Sequence, residues 1–244
     1  MSTPHLRLSD ISLTYDTGLT ALNAIDADFA PGSFTALVGP SGCGKSSLLR
    51  LLAGLQPPSG GTLTAIPNND IGFVFQEPTL LAWKSAAENI ALPLRISGLG
   101  KAEIDRRVDA ALRLVGLQAR ADALPRQLSG GMKMRVSLAR ALAKQPPVLL
   151  MDEPFAALDE LTRFRLDDDL RAIWQQTGCT IIFVTHSVTE AAYLAERALV
   201  MGPGHIKTEL QMEQSGRGED FRSTTAFQQA CADISAALGH QGVM

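Results

Sequence analysis

Three stretches of unbroken apolar residues punctuate the chain: Phe34-Thr35-Ala36-Leu37-Val38, Val148-Leu149-Leu150-Met151 and Thr180-Ile181-Ile182-Phe183-Val184. Runs of that length, rich in branched side chains, predict strands buried on both faces. The intervening periodicity is helical. Ser47 to Ala53 reads as a helix that stops at Gly54. Ile104, Val108, Ala111, Leu112 and Val115 recur at three and four, as do Val136, Ala139, Leu142 and Ala143 before Pro146-Pro147. Leu166, Leu170, Ile173 and Trp174 stripe a helix from Asp159 to Gly178. Continuous apolar strands separated by helices predict a parallel sheet covered on both faces.

Strict alternation governs the first thirty residues instead. Leu6, Leu8, Ile11, Leu13 and Tyr15 alternate with polar neighbours, and Ile25, Ala27 and Phe29 do so against Asp26 and Asp28. These predict antiparallel strands ending in a turn at Pro31-Gly32. Short strands are expected at Thr62 to Ala65 and Ile71 to Phe75. From Gln76 to about Ala143 the pattern turns helical, with few β-branched runs, and predicts a helical unit inserted into an α/β core. Ser187-Val188-Thr189-Glu190 has the form of a capping box. Pro203-Gly204 suits a hairpin; Phe227, Cys231, Ile234 and Leu238 suit a last amphipathic helix, and Ser215 to Asp220 a loose polar segment. The expected division is residues 1–75 and 146–205 as core with a β subdomain, 76–145 as the helical subdomain and 206–244 as the tail.

Composition narrows the class. At 244 residues, 45% hydrophobic and 19% charged, the chain is that of a globular protein with a sizeable core. A net charge of −3 argues against nucleic acid as the main partner. Cys43, Cys179 and Cys231 form neither a metal spacing nor a disulfide framework, which suits a reducing cytoplasm. No secretion signal is expected at the N-terminus, and no apolar run approaches the ~20 residues of a membrane span. Any membrane role must come through a partner.

The chemistry concentrates in Gly39-Pro40-Ser41-Gly42-Cys43-Gly44-Lys45-Ser46-Ser47, between the first apolar strand and a helix. In that context the glycines let backbone N–H groups turn toward a polyphosphate, and the helix N-terminus adds partial positive charge. Lys45 is expected to reach the terminal phosphates and the Ser46 hydroxyl to ligate Mg²⁺. The other two apolar strands end at Asp152-Glu153 and at Thr185-His186. Ligands of open parallel sheets gather beyond the carboxyl ends of the strands, so all three ends share one rim. There Asp152 would help hold Mg²⁺, Glu153 would orient and deprotonate water, and His186 would hydrogen-bond the γ-phosphate or that water. Ser129-Gly130-Gly131, opening another helix, is a second anion site by the same dipole argument. It lies in the helical unit, away from the first, which makes sense if a second copy of the chain supplies the other half.

With Leu128-Ser129-Gly130-Gly131-Met132 added, the set resembles the ATP-binding subunit of ABC transporters, over roughly Leu6 to Gly202. The resemblance implies a P-loop (RecA-like) core with an antiparallel β subdomain and a helical subdomain. It implies ATP and Mg²⁺ as cofactors and a homodimer closing head to tail over two nucleotides. It assigns Tyr15 to stacking on adenine, Gln76 to touching Mg²⁺ and water while sensing the membrane partner, and Ala157-Leu158-Asp159 to communication between protomers. Met132, Ala156 and Ser187 depart from the commonest pattern, which would tune turnover. The words Phe75-Gln76-Glu77-Pro78, Leu80-Leu81-Ala82-Trp83 and Glu88-Asn89-Ile90 look like the nitrate, sulfonate and taurine importer branch, which also includes importers of thiamine-precursor pyrimidines. Leu80, Leu81 and Trp83 would then meet an integral membrane permease, linked to an extracytoplasmic solute-binding protein, at the cytoplasmic face of the inner membrane. An exporter subunit, or a non-transport ATPase of the same family acting on nucleic acid or ribosomes, stands as the alternative.

Overall fold

The computed structural model describes residues 5–64, 71–213, 217 and 219–239. Two sheets carry the site. The larger has strand order β5-β6-β7-β3-β8-β9, built from β3 (Phe34–Val38), β5 (Ile71–Val74), β6 (Val148–Asp152), β7 (Thr180–Thr185), β8 (Arg197–Gly202) and β9 (His205–Gln211). All pairs are parallel except β8 with β9, a hairpin turning at residues 203–204. β3 lies centrally, with Val38 opposite Thr185 on one side and Val200 on the other. Its residues, like those of β7, are buried throughout, which is why these strands read as unbroken apolar runs rather than alternating ones.

The smaller sheet, order β2-β1-β4, is antiparallel and uses β1 (Leu6–Thr14), β2 (Thr20–Phe29) and β4 (Gly60–Leu63). Its inner face (Leu6, Leu8, Ile11, Leu13, Ile25 and Phe29) packs on Leu37 of β3 and on Leu48 and Leu51 of α1 (Lys45–Leu52). Leu8 and Ile11 both point inward, though three apart, because a bulge intervenes at Asp10 with φ at 53°. β4 starts two residues before the expected Thr62, since Gly61 already lies against β1: a Cβ there would fall 2.2 Å from the Asp10 carbonyl. Ala65 falls outside the described residues, as do Ser215, Gly216 and Gly218 of the expected loose segment, whereas Glu219 and Asp220 belong to a short 3-10 turn.

Helices α2 (Ala86–Ile96), α3 (Lys101–Leu114) and α4 (Gly130–Leu142) pack together through Ile90, Leu94, Val108, Leu112, Val136 and Leu138. Their core runs on into that of the large sheet. The helical pattern expected from Gln76 begins only at Ala86: residues 75–85 form an irregular loop containing Pro78, and a complete Ser85–Glu88 capping box starts α2. α5 (Glu160–Thr177), α6 (Val188–Leu194) and α7 (Thr225–Gly239) are the remaining α-helices among the described residues, with Ile234 anchoring α7 at full burial.

The expected Ser187–Glu190 box is only half formed. The Ser187 hydroxyl accepts from the Glu190 N–H at 3.2 Å, but the Glu190 carboxylate turns inward to the Thr185 hydroxyl instead of back to the Ser187 N–H. That N–H is taken by the Thr185 hydroxyl, at 2.9 Å.

Candidate nucleotide site

The loop from β3 to α1 can follow its course because two glycines adopt conformations and approaches closed to other residues. Gly44, with φ at 107°, lies so near β2 that a Cβ would sit 2.5 Å from the Ala21 carbonyl. A Cβ on Gly39 would meet the Met201 carbonyl at 2.7 Å. The β8–β9 turn supports the loop from outside, Gly204 donating to the Cys43 carbonyl at 3.0 Å. Lys45, 5% exposed, folds across the loop. Its ammonium donates to the Gly39 and Pro40 carbonyls at 2.8 and 2.9 Å and lies 3.8 Å from the Cys43 sulfur.

Gly44 caps α1 with no side chain, so the first-turn N–H groups have no side-chain partner there. Two residues along, Ser46 donates its hydroxyl to the Asp152 carboxylate at 2.9 Å, joining α1 to the end of β6. Burial pushes the Asp152 carboxyl up, the Ser46 bond opposes this, and the Glu153 charge adds to the rise. Tyr15 is half-buried and its hydroxyl bonds Ser47 at 2.9 Å, placing the ring beside the same helix turn.

Glu153 has a left-handed backbone, φ 45°, held by a bond from its N–H to the Val184 carbonyl at 3.0 Å. Strain of this kind is retained where the surroundings over-determine it. His186, beyond the end of β7, brings Nδ1 to 3.1 Å from a Glu153 carboxylate oxygen. Lys45, Ser46, Asp152, Glu153 and His186 thus lie on one rim, as the strand ends require. Gln76 stands two residues beyond β5 and is exposed. Its loop is held by Arg140 of α4, which donates to the Pro78 and Thr79 carbonyls at 2.9 Å each.

Ser129 caps α4, accepting from the Met132 N–H at 3.2 Å, and with Gly130 it is exposed. This helix start backs onto the start of α5: Cβ atoms on Gly130 and Gly131 would lie 3.2 Å from Leu158 and 2.7 Å from Thr162. Asp159 caps α5, and its bond from Thr162 at 3.0 Å holds its carboxyl below the usual range.

Two further side chains shape the site: Arg140, which no sequence pattern marks, and Asn89, which the sequence shows only as part of the word Glu88-Asn89-Ile90. Buried Asn89 accepts from the Leu81 N–H at 2.8 Å and donates to the Leu81, Lys84 and Ser85 carbonyls, so one amide pins the turn that displays Trp83 at 74% exposure. The capping form Ser85-Ala86-Ala87-Glu88 was the available signal for that helix start.

The donor set fits a nucleoside triphosphate with a divalent cation. An uncapped helix N-terminus and a glycine cradle suit a polyphosphate, and the Ser46 and Asp152 oxygens suit a hard cation. Sheet, loop and rim together define a P-loop ATPase. The chain belongs to the ABC transporter family, whose model matches residues 22–156. It is an ATP-hydrolysing cassette that works on ATP with Mg²⁺.

Among its relatives, the taurine import ATP-binding protein TauB of Pseudomonas aeruginosa PAO1 is 46% identical over 217 residues, 84% of this chain and 82% of that protein. TauB of Rhizobium johnstonii is 40% identical, covering 92% and 91%. The nitrate import ATP-binding protein NrtD of Synechocystis is also 40% identical, covering 91% and 87%. Among solved structures, the ATP-binding cassette MJ0796, a dimer in a post-hydrolysis state bound to ADP and Pi, matches with a TM-score of 0.75 at 31% identity, over 84% of this chain and 98% of that one. The cbiO1 subunit from Clostridium perfringens, part of the cbiONQ transporter complex, matches with a TM-score of 0.81 at 27% identity over 96% of both chains.

Proposed function

We propose that this chain powers a membrane importer of a small anionic solute, sulfonate- or nitrate-like, by closing head to tail on a second copy over two ATP molecules. Its site would supply phosphate contacts from the loop of residues 39–47 and Lys45, with Tyr15 against adenine. Ser46 and Asp152, with Gln76 beside them, would hold Mg²⁺, which would supply charge neutralisation at the phosphates. Glu153 would orient and deprotonate the attacking water, and His186, within hydrogen-bonding distance of Glu153, would hold that carboxylate in place. Ser129, Gly130 and Gly131 would cap the nucleotide of the other copy, with Asp159 at the junction between copies.

The observation that carries the two-copy reading is the exposed Ser129-Gly130 helix start, backed by Leu158 and Thr162 and left open to solvent. The import direction and solute class rest on the names of the taurine and nitrate relatives. Among the described residues no helix is long and apolar enough to cross a membrane, so attachment would be peripheral, at the cytoplasmic face. The permease would seat on residues 80–83, where Leu80 and Leu81 are partly buried and Trp83 projects. A solute-binding protein would join through the permease. Residues 76–145 would be the lobe that moves with it.

A tagged pull-down from detergent-solubilised membranes tests this reading, run with the native chain and with Trp83→Ala. Capture of a multi-span permease by the first and its loss from the second supports it. Nucleic-acid or ribosomal partners in place of a permease would overturn it.

A further inference from the structure

Behind the rim lies a buried charged cluster that the proposed chemistry does not use. Glu190, on the first turn of α6, is 4% exposed. One of its carboxylate oxygens accepts the hydroxyl proton of Thr185, the residue before His186. That hydroxyl in turn accepts from the Ser187 N–H at 2.9 Å, so the turn carrying His186 is bracketed on both sides. The other oxygen lies 3.4 Å from Nε of Arg163 on α5. That contact is an ion pair and not a hydrogen bond, whereas Nη2 of Arg163 donates to the Leu158 carbonyl at 3.0 Å, inside the segment that leads to Asp159 and backs Gly130. A single carboxylate therefore ties the His186 turn to the Leu158 segment across two helices.

Burial alone does not account for this arrangement. A helix residue needing only to fill space there would be apolar, as Ala191 and Leu194 are, and a buried carboxylate carries a desolvation cost that its partners must offset. Burial pushes the Glu190 carboxyl up while Thr185 and Arg163 pull it down. Each of those partners leads to a different part of the rim, and the Glu153 N–H is bonded to Val184, next to Thr185, on the same strand end.

We propose that Glu190 is a positioning residue for ATP hydrolysis: it locks the His186 turn to the Leu158–Asp159 segment, so that the segment meeting the second copy sets the placement of His186 against Glu153. This rests on the reading of His186 and Glu153 given above.

The test compares Glu190→Gln, Arg163→Gln and the double variant with His186→Ala, measuring kcat and KM for ATP with Mg²⁺, affinity for a fluorescent ATP analogue, and melting temperature. Glu190→Gln keeps the shape and a hydrogen-bonding oxygen for Thr185 but removes the charge facing Arg163. Both single variants are expected to lower kcat about tenfold with nucleotide affinity close to wild type; Glu190→Gln should also keep its melting temperature, whereas Arg163→Gln, which leaves the buried carboxylate without its cation, should lower it. The double variant is expected to be no slower than the slower single one, because both break the same link. Arg163, at 25% side-chain exposure, keeps the test open should Glu190→Gln fold poorly. An unchanged kcat in both single variants, or affinity, with the Glu190→Gln melting temperature, falling in step with kcat, would overturn the proposal while leaving a slow His186→Ala in agreement with the site reading. A wild-type rate for His186→Ala would remove the site reading itself, and this inference with it.

Discussion

The Ser46 hydroxyl donates to the Asp152 carboxylate at 2.9 Å, which makes neighbours of the two oxygens, 106 positions apart in sequence, that we propose hold one cation. Burial makes the charged form of Asp152 costly until a cation faces it. Asp152→Asn is therefore expected to leave the metal-free melting temperature unchanged or higher, while raising the Mg²⁺ concentration for half-maximal ATPase about tenfold or more. Thermal melts without metal and a Mg²⁺ titration of activity check both halves.

Glu153→Gln removes the proposed base but keeps the left-handed turn anchored on Val184. Hydrolysis should fall by about 10²-fold or more while ATP binding persists. Light scattering with saturating ATP and Mg²⁺ should then find a dimer, and a persistent monomer would count against head-to-tail closure.

Lys45→Ala should weaken nucleotide binding itself. The ammonium bonds the Gly39 and Pro40 carbonyls, so its loss also loosens the loop that cradles the phosphates. Calorimetric titration with ATP reads the effect, and unchanged affinity would contradict the assignment.

Asn89→Ala should cost about 2 kcal/mol or more, because Leu81, Lys84 and Ser85 lose buried partners together. Urea denaturation measures the loss. Hydrogen exchange should rise first across residues 81–85, and permease capture should weaken in parallel.

Asp167 lies on α5 at 2% exposure, and burial, reinforced by the Glu190 charge, moves its carboxyl from 3.8 to about 8. The folded chain therefore holds this proton more tightly than the unfolded chain does. The group's contribution is fully present below about pH 4 and is lost as pH rises toward 8. Asp167→Asn, which mimics the protonated form, should flatten that slope: denaturation at several pH values between those limits should find its stability relative to wild type increasing with pH.

Where backbone pattern sufficed, the sequence was informative. The apolar runs place β3, β6 and β7 and, by ending at Gly39, Asp152 and Thr185, locate the rim. Buried polar residues were harder. Asn89, Arg140, Arg163 and Glu190 occupy helix positions where spacing cannot distinguish a polar side chain facing solvent from one turned inward to a loop carbonyl. Glu190 illustrates the difficulty: three positions after Ser187 it has the form of a local helix cap, yet its carboxylate serves Thr185 and Arg163 instead. The start of α2 was legible in the Ser85–Glu88 capping form, but the course of residues 75–85 before it depends on bonds to Asn89 and Arg140 that spacing does not reveal.

The central place of β3 has a consequence for how the protein is made. On the ribosome, the glycine loop and Lys45 emerge early, but both strands that flank β3 come from beyond residue 179. Until β7 and β8 have been translated, the most apolar early segment of the chain has no sheet to join. Such late, long-range pairing is slow and leaves an unpaired edge open to wrong partners. A nascent or truncated chain ending before β7 should therefore need chaperone cover and be unable to form the ATPase site, even though it already carries the entire phosphate loop.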